Sequence, residues 1–436
     1  MTSNSRDAMT LTSFPRALPS HDTNHNNMSA VGFCGDWFIF SCDTKLVAAN
    51  TKQDRETFVF DCSTAEKRPK NTTEDNNSDG GTSEETGSDK VLAFAVSPSG
   101  KMVALTDDNK RLVLFQSQPS WKCVSVRWVV RRCSALLFSQ TEEELLAADK
   151  SGDVYSFSVT ETQKEGELKM GHLSMLLAVA VSPDNKFLIT ADRDEKIRVS
   201  DLRSPYNIQS FCLGHEQFVS ALLIPAAHPH WLLSGSGDGT LKLWEFESGR
   251  NLQSCDLSDL EEMPSSDANK QTKPTVCRIS SSPDAQHVAV LCDRESTIQF
   301  FALRRDSEEK MVPRSRLSLP HCPVDVTFDP EGRLWVLMDS TDSPVQIYSH
   351  RRDSWERSAE IPDLLRVTEA LQPHRETLQA SMKSSSRYEP LYKVIHDNVG
   401  AYLQRKQQRM DEQDLKRKTA QSSNGKGKKK KAQSSS

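Results

Sequence analysis

The fold is decided by the stretch from Gly171 to Phe246, in which one unit is written twice. The first copy reads Gly171-His172, LAVAVSPD at 177–184, FLIT at 187–190, ADRD at 191–194 and IRVSD at 197–201. The second reads Gly214-His215, VSALLIP at 219–225, WLLS at 231–234, GDG at 237–239 and LKLWE at 241–245. Short runs rich in Val, Ile and Leu between turn residues are typical of buried strands. With Gly-His at the start and Trp-Asp or a relic of it at the end, the unit predicts one four-stranded propeller blade.

The same unit recurs through most of the chain when the turn between its first two apolar runs is aligned. That turn stands at Ser97-Pro98, Ser139-Gln140, Ser182-Pro183, Ile224-Pro225, Ser282-Pro283 and Asp329-Pro330. The spacings of about 42, 43, 42, 58 and 47 residues lie close to the blade period of about 40 to 45, apart from one insertion. A weaker copy covers residues 37–61. The sequence therefore predicts an all-β fold, a seven-bladed WD-repeat β-propeller whose blades stabilise one another by stacking.

Composition divides the rest of the chain. Residues 29–357 form the predicted propeller, and polar tracts near 65–89 and 257–275 are expected to be disordered insertions. Residues 1–28 are expected to be a disordered N-terminus without a signal peptide. A polar linker is predicted at 358–387, a basic amphipathic helix at 388–418 and a disordered Lys-rich tail at 419–436. The apolar residues Leu391, Ile395, Val399 and Tyr402 follow Pro390 at helical spacing.

The C-terminal tail carries a charge opposite to that of the rest. Between Arg405 and Lys431 there are about eleven basic and three acidic residues, roughly +8, so the remainder must carry about −13 to reach the overall −5. This asymmetry predicts an acidic scaffold with a basic arm. The arm is interpreted as a nuclear-localisation signal, a nucleic-acid contact or both, and the alternative is a solvated, solubilising tail.

Cysteine usage and hydropathy indicate the compartment. The ten cysteines include no Cys-x-x-Cys pair and no metal spacing, which favours reduced thiols in the cytosol or nucleus over a disulfide framework. No apolar run is long enough to cross a membrane. We therefore expect a nuclear protein, with some in the cytoplasm, that has no membrane partner.

Two apparent catalytic motifs have simpler structural explanations. The glycine-rich stretch 235–239 precedes a strand rather than a helix, so Asp238-Gly239 is predicted to be a hairpin turn rather than a phosphate loop. His172 and His215 are predicted to hydrogen-bond Asp194 and Asp238, respectively. In the second copy this network continues to Ser234 and Trp244. No other catalytic cluster stands out, so the chain is not expected to be an enzyme.

The predicted surface carries two charged clusters. Asp192-Arg193-Asp194-Glu195-Lys196-Ile197-Arg198 has six charges in seven residues. Alternating charges at a blade rim are suited to a specific protein interface, although a solvated turn would need no such role. Arg127, Arg131 and Arg132 surround Trp128 and are interpreted as either a phosphate contact or a solvated strand edge.

Several of these stretches carry a family resemblance. They are 171–177 (GHLSMLL), 190–200 (TADRDEKIRVS), 210–215 (SFCLGH), 105–108 (LTDD) with 110–112 (KRL), 148–157 (ADKSGDVYSF), 391–393 (LYK) and 397–399 (DNV). Together they resemble the WD-repeat non-catalytic subunit of the eukaryotic tRNA guanine-N(7)-methyltransferase. The resemblance covers the ring and the start of the tail. Ser200 departs from the WD-repeat pattern, which has Trp there, so that blade is expected to lose one hydrogen bond.

The resemblance implies a heterodimer in which another subunit is catalytic. That subunit binds S-adenosylmethionine and methylates a guanine in the tRNA variable loop, while this chain has no cofactor, stabilises its partner and helps to seat the tRNA. The residues implied in partner binding are Arg193, Asp194, Glu195, Lys196 and Arg198. The candidates for tRNA contact are Lys393, Arg405, Lys406 and Arg409, which would neutralise phosphates without reading sequence.

Two further hypotheses remain open at this point. Ser200-Asp201-Leu202-Arg203 resembles the Trp-Asp-x-Arg signature of substrate receptors for cullin-type ubiquitin ligases, with Ser in the Trp position. The other hypothesis is a chromatin-binding propeller, which would fit a nuclear signal but has no motif here. The identity of the co-purifying partner separates these hypotheses.

Overall fold

A computed structural model describes residues 30–68, 87–260, 273–359, 361–382, 386–393, 403 and 405–410. These residues contain seven antiparallel sheets of four strands each, and each sheet is formed by strands that follow one another in the chain. The inner strands of neighbouring sheets contact one another around a ring, including those of the last and first sheets. The predicted seven-bladed β-propeller is therefore confirmed.

Every blade follows the same order from the inner strand outward. In blades 1 to 4 the strands are β1 Val31–Cys34, β2 Trp37–Cys42, β3 Lys45–Asn50, β4 Phe58–Asp61; β5 Val91–Val96, β6 Met102–Asp107, β7 Arg111–Gln116, β8 Lys122–Trp128; β9 Cys133–Phe138, β10 Glu144–Asp149, β11 Asp153–Ser158, β12 Glu167–Gly171; β13 Leu176–Val181, β14 Phe187–Asp192, β15 Ile197–Asp201, β16 Ile208–Cys212. In blades 5 to 7 they are β17 Val219–Leu223, β18 Trp231–Ser236, β19 Thr240–Glu245, β20 Arg250–Asp256; β21 Val276–Ser281, β22 Val288–Cys292, β23 Thr297–Leu303, β24 Met311–Ser318; β25 Pro323–Phe328, β26 Leu334–Met338, β27 Val345–Arg351, β28 Ser354–Arg357.

The repeated serine at the first turn of a blade has a structural role. Its hydroxyl accepts the N–H five residues later, where the second strand begins, in blades 2, 3, 4 and 6: Ser97 from Met102 (3.1 Å), Ser139 from Glu144 (3.1 Å), Ser182 from Phe187 (2.9 Å) and Ser282 from His287 (3.0 Å). A buried N–H at a strand end needs such a partner. In these four blades, the serine that marks the repeat in the sequence therefore accepts the hydrogen bond that closes the first turn.

Strand alternation places two kinds of loop at opposite ends of the ring. The hairpins between second and third strands, such as 192–196, share one end with the connections between blades, such as 213–218. We call this end the hairpin face. The turns after the first and third strands, such as 182–186, lie at the other end, the turn face.

Ring closure uses no shared strand, since blades 1 and 7 are each complete in themselves. The inner strands β1 and β25 meet, and the Val31 N–H donates to Asp325 Oδ2 at 2.8 Å. Between the two blades, Phe38 stacks on Trp335 with ring centroids 5.0 Å apart, and both side chains are fully buried. The seam between blades 7 and 1 is thus an apolar interface.

Two helices cover this seam: α1 (Pro362–Leu371) and α2 (Arg375–Met382), joined by a 3-10 turn at Gln372–His374. Their buried side chains join the blade 1 and blade 7 core, namely Leu364, Val367, Leu371 and Leu378. The sequence prediction of a polar linker at 358–387 differs from this result. The helices were missed because each is short and most of its surface is polar, so only one narrow apolar stripe is present.

Ion pairs hold α1 to the ends of both blades. Asp363, in the first turn of the helix, lies 3.0 Å from Lys52 Nζ of blade 1 and 2.6 Å from Arg333 Nη2 of blade 7. Arg366 Nη1 donates to the Thr51 carbonyl at 2.7 Å. An acidic residue at a helix N-terminus also suits the helix dipole. The helix therefore contacts the two blades that no backbone strand connects.

The remaining predicted boundaries are tested only in part. Residues 1–28, most of 65–89, and 419–436 lie outside the described residues. The insertion predicted at 257–275 begins with an ordered 3-10 turn, Leu257–Leu260, whose Leu257 is buried, and residues 261–272 are not described. The helix predicted from 388 begins instead with a 3-10 turn at Glu389–Leu391. Residues 403 and 405–410 are helical, and the rest of that prediction lies outside the described residues.

Candidate functional site

The histidine of blade 5 belongs to a closed hydrogen-bond network. His215 Nδ1 lies 2.9 Å from Asp238 Oδ2 and its Nε2 lies 2.7 Å from Ser234 Oγ. The Trp244 indole N–H donates to the same Ser234 oxygen at 2.8 Å. Gly239 has the positive φ of 78° expected for the hairpin turn. These are the predicted contacts, and a buried histidine with both ring nitrogens engaged has no free nitrogen to act as a catalytic base.

Blade 4 has a similar network with a different carboxylate. His172 Nδ1 lies 3.1 Å from Asp192 Oδ2, and its Nε2 lies 2.7 Å from Thr190 Oγ1. The predicted His172–Asp194 pair is therefore wrong. Asp194 matches Asp238 by position in the hairpin, but Asp192, at the end of β14, also accepts the Lys196 N–H at 3.0 Å. Burial opposes ionisation of Asp192, yet the bonds from His172 and Lys196 outweigh burial and keep its pKa below the ordinary value.

In the charged hairpin of blade 4, Arg198 is held by three hydrogen bonds, whereas Lys196 is exposed. Arg198 donates from Nε to Ser200 Oγ at 2.9 Å, from Nη1 to the Gly171 carbonyl at 3.3 Å and from Nη2 to the Pro205 carbonyl at 2.7 Å. Partial burial lowers its pKa. Lys196 is exposed at the tip of the hairpin. Arg198 thus links blades 3 and 4, while Lys196 is exposed and its Nζ donates to the Asp194 carbonyl at 3.2 Å.

Exposed apolar side chains occur along the outer edges of the two blades next to this hairpin, and no charge or repeat pattern in the sequence indicates them. They lie on the outer edges of blades 3 and 4: Leu168, Leu173, Tyr206, Ile208, Phe211 and Leu213. Phe211 is the cross-strand neighbour of Arg198. Leu173, two residues after Gly171, is fully exposed. A group of exposed apolar residues beside an open strand edge is typical of a protein-binding surface. The signal available in the sequence was the presence of large apolar residues in and beside the predicted outer strands.

A C-terminal segment crosses the hairpin face of blades 4 to 6. We call residues 386–392 the strap. The ring of Tyr388 is buried and stacks on Phe218, with centroids 5.9 Å apart. Tyr392 packs edge-on against Phe218 at 5.0 Å, and its hydroxyl donates to the Gly237 carbonyl at 3.0 Å. The strap also borders a cavity of about 420 Å³ within the ring.

The end of the strap is held by the charged hairpin of blade 4. Arg193 Nε donates to the Leu391 carbonyl at 3.0 Å, and Nη2 donates to the Pro390 carbonyl at 3.4 Å. Arg193, predicted to bind a partner, is thus engaged by its own chain. Asp194 and Glu195 are half-buried in the same hairpin. The five predicted partner-binding residues are therefore close together in the sequence but differ in exposure and in hydrogen bonding.

A sequence model of the tRNA methyltransferase TRM82 WD40 domain matches residues 37–169 and 158–362, which is most of the chain. The chain belongs to this TRM82 WD40-domain family. The family that the resemblance indicated is therefore confirmed, and its WD40 name agrees with the seven blades.

Relatives of the TRM82-family chain carry specific names. It is 55% identical over 408 residues, 93% of this chain and 98% of the relative, to the tRNA (guanine-N(7)-)-methyltransferase non-catalytic subunit wdr4 of Danio rerio. It is 44% identical to the subunit WDR4 of Mus musculus, covering 87% of this chain and 91% of the relative. It is 42% identical to WDR4 of Homo sapiens, covering 86% and 89%. Each is named as a non-catalytic subunit.

Solved structures agree with the fold of the TRM82-family ring. The U3-55K structure aligns with a TM-score of 0.56 at 17% identity, covering 79% of this chain and 95% of that one. A chain of the mitotic checkpoint complex aligns with a TM-score of 0.57 at 13% identity, covering 82% and 100%. At such identities the likeness shows the propeller fold alone.

The tail of the TRM82-family chain begins directly after the strap. Residues up to Tyr392 form one compact unit, and residues from Lys393 onward form another. Arg405, Lys406 and Arg409 lie on the helical residues 405–410, and all three are exposed. Lys393 is exposed at the first position of the tail. Their predicted role in tRNA contact stays a prediction.

The second basic cluster is divided by the fold. Arg127 is buried, donates to the Ser158 carbonyl at 2.7 Å and lies over the Phe157 ring at 5.3 Å. Burial lowers its pKa. Arg132 Nε donates to the Asp108 carbonyl at 2.8 Å, which leaves Arg131 as the exposed member of the three. This arrangement disfavours a joint phosphate contact and indicates that Arg127 joins blades 2 and 3.

The described residues show neither a metal-ligand cluster nor a membrane-spanning helix. In that part of the chain, no group of three or more metal-ligating side chains comes together. None of its helices has the length and apolar character needed to cross a membrane. At the candidate ligase signature, Asp201 Oδ1 accepts the N–H groups of Arg203 and Ser204 at 2.8 and 2.9 Å, a local turn.

Proposed function

We propose that this chain is the non-catalytic scaffold subunit of a tRNA guanine-N(7)-methyltransferase, required for N(7)-methylguanosine formation in the tRNA variable loop. Membership of the TRM82 family, together with relatives that carry this name over most of their length, is the observation that supports it. The catalytic subunit of the heterodimer would bind S-adenosylmethionine, and this chain would hold no cofactor. Its contribution would be to shift the partner's population toward the active conformation.

The proposed partner surface is the outer edge of blades 3 and 4 on the hairpin face. Its charged part is supplied by Lys196, and its apolar part by Leu173 and Phe211. Interfaces of this kind gain affinity from apolar contacts and gain orientation and association rate from charges at the rim. Arg198 supports this surface from within, because all three of its donor groups are used inside the ring.

Lys196→Glu tests the charged part of this surface. We expect about tenfold weaker association with the catalytic subunit, about 1.4 kcal/mol, because a charge that complements the partner is reversed. Lys196 is a better choice than Arg198, whose replacement would also break three hydrogen bonds of the ring. The measurement is an affinity titration of purified ring against purified catalytic subunit at two salt concentrations.

The control is Lys101→Glu, which makes the same charge change at an exposed position on the turn face. It should leave the affinity unchanged. Equal affinities for wild type and Lys196→Glu would remove the hairpin from the interface. Purification of the wild-type chain with a ligase adaptor instead of a methyltransferase would overturn the proposed function itself.

The basic tail is proposed to contact tRNA phosphates and to carry the nuclear signal. A chain ending at Tyr392 keeps the whole strap and loses residues 393–436. We expect the assembled complex to bind tRNA more weakly, with a flatter dependence of log affinity on log salt, because fewer counterions are released. Binding is measured with purified tRNA across a range of salt concentrations.

A second variant, ending at Lys418, separates the two parts of the tail. If the helix carries the phosphate contacts, this chain should keep most of the wild-type salt slope, whereas loss of Lys428–Lys431 should impair nuclear accumulation of a fluorescent fusion. A wild-type salt slope in the chain ending at Tyr392 would exclude the tail from tRNA binding.

A further inference from the structure

The strap is fixed to the ring by specific side-chain contacts. Its buried residue Tyr388 and its last residue Tyr392 flank the same Phe218 ring, one stacked and one edge-on. Such paired aromatic contacts combine apolar burial with a preferred geometry. The Tyr392 hydroxyl also lies 2.5 Å from Thr275 Oγ1, so this side chain bridges blade 5 and the start of blade 6. These contacts define where the chain leaves the ring.

Arg193 secures the other side of that exit point. Its guanidinium reaches two successive carbonyl groups, those of Pro390 and Leu391. Arginine is suited to this task because its planar fork presents several donors in a rigid arrangement, whereas lysine offers a single point charge. The same hairpin carries Lys196 three residues later, on the proposed partner surface.

We propose that Arg193 is a positioning residue for tRNA, which fixes the end of the strap, where the chain leaves the ring, rather than a contact to the catalytic subunit. This inference rests on the proposed function of the ring and tail. Anchoring the exit point keeps the tether to the basic residues short, and a short tether raises their effective concentration at a tRNA held by the partner. Release of the strap would move the last anchored residue back toward α2 and lengthen the tether.

The test is Arg193→Ala in the full-length chain, assembled with the catalytic subunit. We expect hydrogen exchange of the Tyr388 and Leu391 backbone amides, whose N–H groups are hydrogen-bonded within the strap, to rise about tenfold or more, because two hydrogen bonds from a charged donor are lost. The affinity for tRNA should fall roughly three- to tenfold through the longer tether. The slope of log affinity against log salt should stay unchanged, because every basic residue of the tail remains.

Two further variants make the result specific. Tyr392→Phe removes the hydroxyl bonds to Gly237 and Thr275 but keeps the aromatic contact, and it should reproduce the weaker tRNA binding with an unchanged slope. Arg193→Lys should restore the protection of the strap only in part. In all three variants, the affinity for the catalytic subunit should equal that of wild type, in contrast to Lys196→Glu.

The outcomes separate this inference from the proposed function. If Arg193→Ala weakens binding of the catalytic subunit while the strap stays protected, Arg193 is a partner contact and the inference is wrong. Unchanged tRNA affinity with a released strap would also overturn it. If the wild-type chain neither binds the catalytic subunit nor supports tRNA methylation, the proposed function fails first, whatever the variants do.

Discussion

Val367→Asp in α1 is expected to destabilise the ring by more than about 3 kcal/mol, since it loses the burial of an apolar side chain and places a charge in an apolar core. Val367 is fully buried in the cluster that joins blade 7 to blade 1. Because blades depend on their neighbours, opening one seam weakens the whole array. The measurement is the free energy of unfolding by denaturant, followed by tryptophan fluorescence.

The same helix offers a matched control for this variant. Leu365 is 59% exposed on the outer side of α1, so Leu365→Asp makes a similar change without entering the core. We expect a change within about 0.5 kcal/mol, as for most surface substitutions. Equal stability of the two variants would show that the helices are attached to the ring without holding it closed.

Asp238→Ala is expected to cost about 3 to 5 kcal/mol, because it removes a buried carboxylate that accepts several hydrogen bonds and leaves their donors unsatisfied. His215 Nδ1, the Glu216 N–H and the Thr240 N–H all lie within 2.9 Å of its carboxylate oxygens. Removing the carboxylate leaves these groups without a partner inside blade 5. The free energy of unfolding at neutral pH provides the measurement.

The pH dependence of the free energy of unfolding provides a second test of the role of Asp238. Burial alone would raise the pKa of Asp238, but the hydrogen bonds from His215, Thr240 and the Glu216 N–H outweigh it and hold the pKa far below its usual range. The stabilisation is therefore complete above the unfolded-state pKa of about 3.9 and is lost as the pH falls toward the folded-state pKa. We expect stability to decline below about pH 4 in wild type and less steeply in Asp238→Ala.

Blade 4 supplies the control for this network. Asp192→Ala should destabilise the ring as Asp238→Ala does, because Asp192 is the carboxylate that His172 contacts. Asp194→Ala should cost less, because the Asp194 side chain is half-buried whereas that of Asp192 is buried. If Asp194→Ala were the more damaging of the two, the hydrogen bonds of the hairpin would have to be reassigned to the partner that the sequence alignment favoured.

The blades could be predicted because each repeat contains residues with a local structural task. The serine of the first turn caps the following strand, and the Gly-His histidine of blade 5 reaches Ser234, which lies within its own blade. Because such hydrogen bonds are short-range, residues of the same type recur at the same spacing in several copies of the repeat. The assignment of Asp194 failed because Asp192 and Asp194 are only two residues apart in the sequence, and spacing alone does not distinguish them.

The helices and the strap could not be predicted in the same way, because their partners are far away in the chain. Asp363 pairs with Lys52, and Tyr388 packs on Phe218. Nothing in a local pattern indicates these contacts. The candidate surface was predicted for its charges, which are clustered in sequence, whereas Leu173 and Phe211 come together only once the strands are paired.

The absence of a shared strand at ring closure has a consequence for biosynthesis. A nascent chain can complete all seven blades in order, yet the apolar edge of the seam around Phe38 and Trp335 stays uncovered by α1 and α2 until residues 362–378 have left the ribosome. We expect chaperones to bind this edge during synthesis, and chains cut short by a premature stop codon before Pro362 to be degraded. Ribosome-bound chains ending before Pro362 should therefore crosslink to chaperones more strongly than chains that extend past Met382.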